Sequence, residues 1–274
     1  MFKLTLHTES TLPFEVDGIL PDRIAGLSEL ELAKLPILHG NRQEPLGEHF
    51  SIGPSRLANL HFAGDTSRVK RIGAGMTSGS IFVESSAGLH AGAQMTGGKL
   101  IIDGNAGDWC GAEMRGGEIE VRGSVGNQLG AAYRGSRHGM RGGGILVRGS
   151  AGDEAGLLMR RGLIAVQGKL GAFAGASLIA GTVVALGGVG PHCGAGMKRG
   201  TIIVGGETPE LPKSFHYSCE FESAWLALFA KRMAEFDIAI PSGTAKCYRG
   251  DALTGGRGEI LLLPNARRSG SSAA

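Results

Sequence analysis

The side chains best suited to chemistry in this sequence are cationic and periodic. Arg115 and Arg141 are 26 residues apart, Arg141 and Arg160 are 19 apart, and Lys198 lies two further 19-residue steps on. Arg161 and Arg199 directly follow two of these positions. Stacked like charges repel, so folding alone does not call for such a series. A row of fixed cations suits a polyanionic ligand tail or an acidic partner surface. A solvated or acid-paired surface is the competing reading, because Glu118 and Glu120 lie nearby in sequence. Arg122 and Arg148 form another short basic pair at the 26-residue interval.

Other reactive side chains are sparse. Cys110, Cys193, Cys219 and Cys247 contain no C-x-x-C pair, so zinc or iron–sulfur ligation is not expected. A reducing cytoplasm is the expected compartment. No G-x-S-x-G, H-E-x-x-H or phosphate-loop sequence occurs. Asp103, Asp108 and Asp153 are read as three different repeat positions, which leaves out the carboxylate cluster of calcium-dependent polysaccharide lyases. No catalytic residue and no metal site are therefore expected in this chain.

The elements that position the cations are legible from glycine. Residues 73–206 hold 36 of the 48 glycines. Met76, Met95 and Met114 are 19 apart, Met140 follows after a seven-residue insertion, and Met159, Leu178 and Met197 continue the step. Three residues beyond each marker stands a glycine, from Gly79 to Gly200. Five and seven residues beyond stand apolar pairs such as Ile81/Val83, Ile119/Val121 and Ile202/Val204. The unit reads G-x-x-x-G-x-x-M-x-x-G-x-I-x-V-x-G, and I-x-V alternation places both side chains on one strand face. One such strand cannot bury that face alone, but stacked coils can. Glycine is expected at the corners, where positive φ is needed. The predicted fold is all-β: a stack of about seven 19-residue coils, with an N-terminal cap and a C-terminal α-helix plus terminal strand. Cys110 and Cys193 share a column four coils apart, about 19 Å along the stack, so no disulfide joins them. His90 and His192 share a column five coils apart, and the other histidines fall singly.

Three segments follow: 1–63 as a cap and connector, 64–206 as the repeat, and 207–274 as linker, helix and tail. Asp22 to Leu35 has room for a short helix. Glu207 to Pro212 reads as a linker. Residues 218–236 read as a helix with a stripe of Phe221, Trp225, Leu228, Phe229, Met233 and Phe236. It either packs along the coils or docks a partner. Cys247 to Asp251 reads as a turn, followed by a strand near Gly258–Leu263. Net charge is +3, too mild to imply nucleic acid. No run of 18 apolar residues exists, so no membrane span is expected.

The repeat resembles the C-terminal coil domain of glutamate synthase large subunits. More closely, it resembles the C subunit of formylmethanofuran dehydrogenase and of the bacterial formyltransferase/hydrolase complex. The tail, Tyr248-Arg249-Gly250-Asp251 followed by Gly258-Glu259-Ile260, looks like that family's ending. The resemblance implies that the coils form a right-handed parallel β-helix, and that the chain is a scaffold with three partner subunits: an amidohydrolase-like one, a formyltransferase and an accessory chain. It implies transfer of formyl from tetrahydromethanopterin to a methanofuran-type carrier, then release of formate. The family's catalytic residues lie on the other subunits, so none is carried over. A glutamate-rich carrier tail at the complex interface would give the basic series of Arg115, Arg141, Arg160, Arg161, Lys198 and Arg199 a ligand. A tungsten or molybdenum dehydrogenase assembly is the alternative. A stand-alone coil domain and a carbohydrate-active coil protein are weaker alternatives, since aromatics for sugar stacking are few.

Overall fold

The alternating I-x-V segments form strands, and their burial alternates as the pattern requires. The computed structural model describes residues 1–206, 210–222, 224–241 and 243–264. Its N-terminal part supplies β1 (Phe2–Leu6), β2 (Phe14–Glu15), α1 (Pro21–Ile24), α2 (Glu29–Ala33), β3 (Pro36–His39), β4 (Arg42–Pro45), β5 (Phe50–Pro54), β6 (Leu60–Ala63) and β7 (Val69–Lys70). The repeat supplies β8 (Ser80–Val83), β9 (Lys99–Ile102), β10 (Glu118–Val121), β11 (Arg141–Val147), β12 (Arg161–Val166), β13 (Thr182–Ala185) and β14 (Arg199–Val204). The C-terminal part supplies β15 (His216–Phe221), α3 (Ala224–Ala234), β16 (Ala245–Gly250) and β17 (Arg257–Leu262).

Among the described residues, a large, mostly parallel sheet of 13 strands runs β15-β16-β17-β14-β13-β12-β11-β10-β9-β8-β6-β1-β5. Ile81 faces Leu100, Leu100 faces Ile119, and Ile119 faces Ile145, all in parallel register. The register continues through Ile164, Val183 and Ile202 to Ile260 of the terminal strand. The marker column is entirely buried, from Met76 to Met197 with Leu178 in its place. Fully burying one such apolar side chain contributes about 1.5–3 kcal/mol, so the stacked columns supply the main driving force. A second parallel ladder links Ala87, Ala106, Val125, Ala151, Leu170 and Val189. The seven-residue insertion lies between Gly130 and Met140, whose backbones still bond across it, with the Met140 amide donating to Gly130.

Glycine does occupy two corner columns at positive φ, including Gly117 at φ 86°. A Cβ there would meet the backbone of Gly97 and Gly98 at 2.8 Å. Two other corner columns depart from the expectation and hold larger residues at positive φ. One contains Arg71, His90, Trp109, Gln128, Glu154, Phe173 and His192; the other includes Gln94, Glu113, Leu158 and Ser177. Each left-handed residue costs about 1–2 kcal/mol. Amide bonds to the next repeat offset that cost, as from His90 to Asp108 and from Gln94 to Ala112. Side chains also stack, Phe173 on His192 at 4.8 Å.

Both ends of the parallel ladder are covered by antiparallel strands. β1 pairs with β6 in parallel and with β5 antiparallel. At the other edge β17 pairs antiparallel with β16, and β16 with β15. The segment expected as one helix over 218–236 divides: β15 takes 216–221 and α3 takes 224–234. Alternating Tyr217, Cys219 and Phe221 find a cross-strand partner in β16, which outweighs local helix preference. Cys247 to Gly250 is strand rather than turn for the same reason. Asp22 to Leu35 holds two short helices, and Ser28 with Glu31 forms a capping box on the second. Of the Glu207–Pro212 linker, residues 207–209 lie outside those described, as do Ser223 and the tail from 265.

Helix α3 covers a second apolar layer. Leu226 and Met233 pack with Leu146, Ala165, Val184 and Ile203, the middle residues of the I-x-V segments in the later repeats. Within the expected stripe, Trp225 and Leu228 instead face solvent, 47% and 68% exposed. No helix among the described residues is long and apolar enough to cross a membrane.

Candidate functional site

The basic positions are brought into register by the backbone. The amide of Arg115 donates to Met95, that of Arg141 to Met114, that of Arg160 to Met140 and that of Lys198 to Leu178. Ile179, bonded to Met159, interrupts the charge but not the column. Arg141 and Arg161 face each other across β11 and β12, and Arg199 faces Arg257 across β14 and β17. Arg115, Arg160, Arg161, Lys198 and Arg199 are exposed, and Arg141 is half-buried.

Three acids near this column are engaged elsewhere. Glu118 pairs with Lys99 at 2.9 Å, and Glu120 with Arg148 at 3.4 Å. Arg122 pairs with Asp103 at 2.6 Å. Among the described residues, none of the six basic side chains is held in an ion pair. Arg141 lies close to Glu113. Burial works to raise the Glu113 carboxyl, but the Ser136 hydroxyl, Gln94, the Tyr133 amide and the Arg141 charge together hold it below its ordinary value.

The insertion adds cations that the 19-residue count passes over. Arg134 and Arg137 are exposed on it, and His138 Nε2 lies 3.5 Å from Nη1 of Arg160. Their signal is present in the sequence, since the segment that breaks the period is itself Arg-Gly-Ser-Arg-His.

Two other sequence readings need correction. Asp108 and Asp153 belong to one column, with Asn127 between them. Asp108 accepts from the Asn127 amide, Asn127 from the Asp153 amide, and Asp153 from the Ala172 amide. Their side-chain oxygens bond the turns of successive repeats to one another. The insertion of seven obscures the shared register. The histidines are also not all single: His39 and His49 both reach Glu44 in the N-terminal part. All four cysteines are free thiols, and burial pushes those of Cys110 and Cys193 up to about 12.

No family model matches the sequence. The chain superposes over nearly its whole length on a chain of the crystal structure of the formyltransferase/hydrolase complex from Methylorubrum extorquens in complex with methylofuran. The TM-score is 0.87 at 35% identity, covering 96% of this chain and 100% of that one. The C subunit of the same organism's complex is 38% identical over 86 residues. The chain belongs to the family of C subunits of formyltransferase/hydrolase and formylmethanofuran dehydrogenase complexes. A molybdenum-containing member, the C subunit of formylmethanofuran dehydrogenase 1 from Methanothermobacter thermautotrophicus, is 40% identical over 90 residues. The matched stretch spans 22% of that relative's length and 32% of the M. extorquens sequence. Within the family, this chain's basic column stands on the parallel ladder, on the rungs from Arg115 to Lys198.

Proposed function

We propose that this chain is the non-catalytic scaffold of a formyltransferase/hydrolase complex. The complex moves formyl from formyl-tetrahydromethanopterin to a methanofuran-type carrier and releases formate. The observation that carries this reading is the full-length likeness to a chain of the methylofuran-bound complex. Three further subunits, amidohydrolase-like, formyltransferase and accessory, hold the chemistry in the cytoplasm. The chain itself is a right-handed parallel β-helix, supported by the 19-residue step at which side chains of one coil meet amides of the next. Its parts are the cap at 1–63, the coils at 64–206 and the C-terminal segment at 207–274. The cation column from Arg115 to Arg199 holds either the anionic tail of the carrier or an acidic partner face, which its freedom from ion pairs favours.

Co-purification from the native host tests the assembly. A stoichiometric complex with formyl transfer and hydrolysis, together with an inert isolated chain, is the expected result. Turnover by the isolated chain would contradict the scaffold role. The 40% identity to part of a molybdenum enzyme favours a second reading, a tungsten or molybdenum formylmethanofuran dehydrogenase assembly. Molybdenum or tungsten in the co-purified complex would decide for it.

A further inference from the structure

We propose that His39, Glu44 and His49 form a divalent-metal site, suited to zinc or a similar late first-row ion, which clamps the N-terminal hairpin to the neighbouring strands. The three residues come from three segments: the end of β3, the middle of β4 and the position just before β5. His39 Nδ1 lies 3.0 Å from Glu44 Oε2, and His49 Nε2 lies 2.6 Å from the same oxygen. All three ligand atoms fall within 4.8 Å of one another. Tetrahedral zinc with bonds of about 2.0–2.2 Å separates its ligand atoms by about 3.3 Å, so the two nitrogen–oxygen separations open by about 0.3 Å and about 0.7 Å to admit the ion.

The rest of the site is arranged as metal ligands require. The remaining nitrogen of each ring faces a hydroxyl: His39 Nε2 lies 2.8 Å from Ser10 Oγ, and His49 Nδ1 lies 3.1 Å from Thr8 Oγ1. Such outer partners fix ring orientation and leave the inner nitrogens aimed at one point. Phe14 stacks on His39 at 4.5 Å and holds the ring plane. Two imidazoles and one carboxylate favour zinc and its neighbours over magnesium or calcium. Three protein ligands leave a fourth position for water. The residues stand at equal steps of five, H-x-x-x-x-E-x-x-x-x-H. A bound ion would tie down a cap whose strands β2 and β7 are only two residues long.

The test uses the full chain, expressed without a polyhistidine tag, stripped with chelator and dialysed against zinc alone. One zinc per chain is expected, with cobalt(II) giving the intense visible bands of a four-coordinate N/O site. Ser10→Ala should weaken zinc binding by about 10-fold, and Glu44→Gln or His49→Ala by more. Zinc should raise the melting temperature of the native chain but not of Glu44→Gln, which retains a hydrogen-bonding side chain and so guards against simple misfolding. His7→Ala should bind as the native chain does. A native chain that stays metal-free, or equal zinc retention by Glu44→Gln and His49→Ala, would overturn the site.

Discussion

Asp251 shows how much one side chain can fasten at an end of the sheet. It is 4% exposed, and its two oxygens accept from the amides of Gly196 and Leu253, both at 2.9 Å. It thus ties the segment after β16 to the turn before β14. Asp251→Ala orphans two amides and should destabilise by about 1–3 kcal/mol in urea titration. Burial works to raise this carboxyl, but the amides of Gly196 and Leu253 and the Ser214 hydroxyl outweigh it and hold its pKa below the ordinary value. A depressed folded pKa stabilises above the unfolded value and loses that contribution as pH falls through the folded value. The gap between native chain and Asp251→Asn should therefore hold steady from about pH 7 to about pH 5 and close below about pH 4. A gap independent of pH would show that the carboxylate charge contributes nothing. Gly117→Ala offers a second residue-scale check. Positive φ and the backbone 2.8 Å away should together cost about 2 kcal/mol or more, whereas Gly144→Ala, with nothing within 4 Å, should stay within about 0.5 kcal/mol.

Helix α3 is the element whose placement depends on a pattern outside itself. The middle residue of the I-x-V segment is Glu120 in β10, then Leu146, Ala165, Val184 and Ile203 in the following rungs. Where that column turns apolar, the sheet is buried on both faces, and α3 is what covers it. Met233→Ala should therefore cost about 2–5 kcal/mol in thermal or urea unfolding, since this side chain is 0% exposed. Leu228→Ala, 68% exposed, should change stability by no more than about 0.5 kcal/mol. Equal effects would mean that the helix rests on a different face. The strands are legible in the sequence because alternation with a fixed step specifies both face and register. The face of α3 is not legible from α3 alone, because its stripe of aromatics is wider than the layer it covers. Trp225 and Leu228 belong to that stripe yet lie outside the contact with Leu146 and Val184. The β15 segment escapes a local reading for a related reason: its partner, β16, lies across a long stretch of sequence, and a local window contains no trace of it.

At the scale of the molecule, the repeat converts sequence spacing into spatial spacing, and this is why the cation column is legible while the histidine–glutamate cluster is not. Arg115, Arg141 and Arg160 share a column because they share a count, and backbone bonds such as Arg141 to Met114 place them on successive rungs. His39 and His49 stand outside the repeat, and only the folding of the β3–β4 hairpin against the chain before β5 brings them together. Rungs are about 4.8 Å apart, so Arg115 and Arg160 span about 10 Å. Screening at physiological salt has a length of about 8 Å, so neighbouring cations reinforce one another toward an anion lying along the column. Apart from Arg141, whose charge helps hold the buried Glu113 carboxylate, folding places no demand on these charges, since Glu118, Glu120 and Asp103 are paired with other bases. The triple variant Arg115→Glu, Arg141→Gln, Arg160→Glu should therefore remain folded by circular dichroism but lose most retention of a glutamate-rich carrier or of its partner subunits. Retention by the native chain should fall steeply as salt is raised, and the variant's weak residual binding should be nearly flat. If the variant instead retains carrier and partners as the native chain does, the column is solvated surface and the proposal fails. If carrier is lost while the partners stay together, the column serves the anionic tail rather than the assembly.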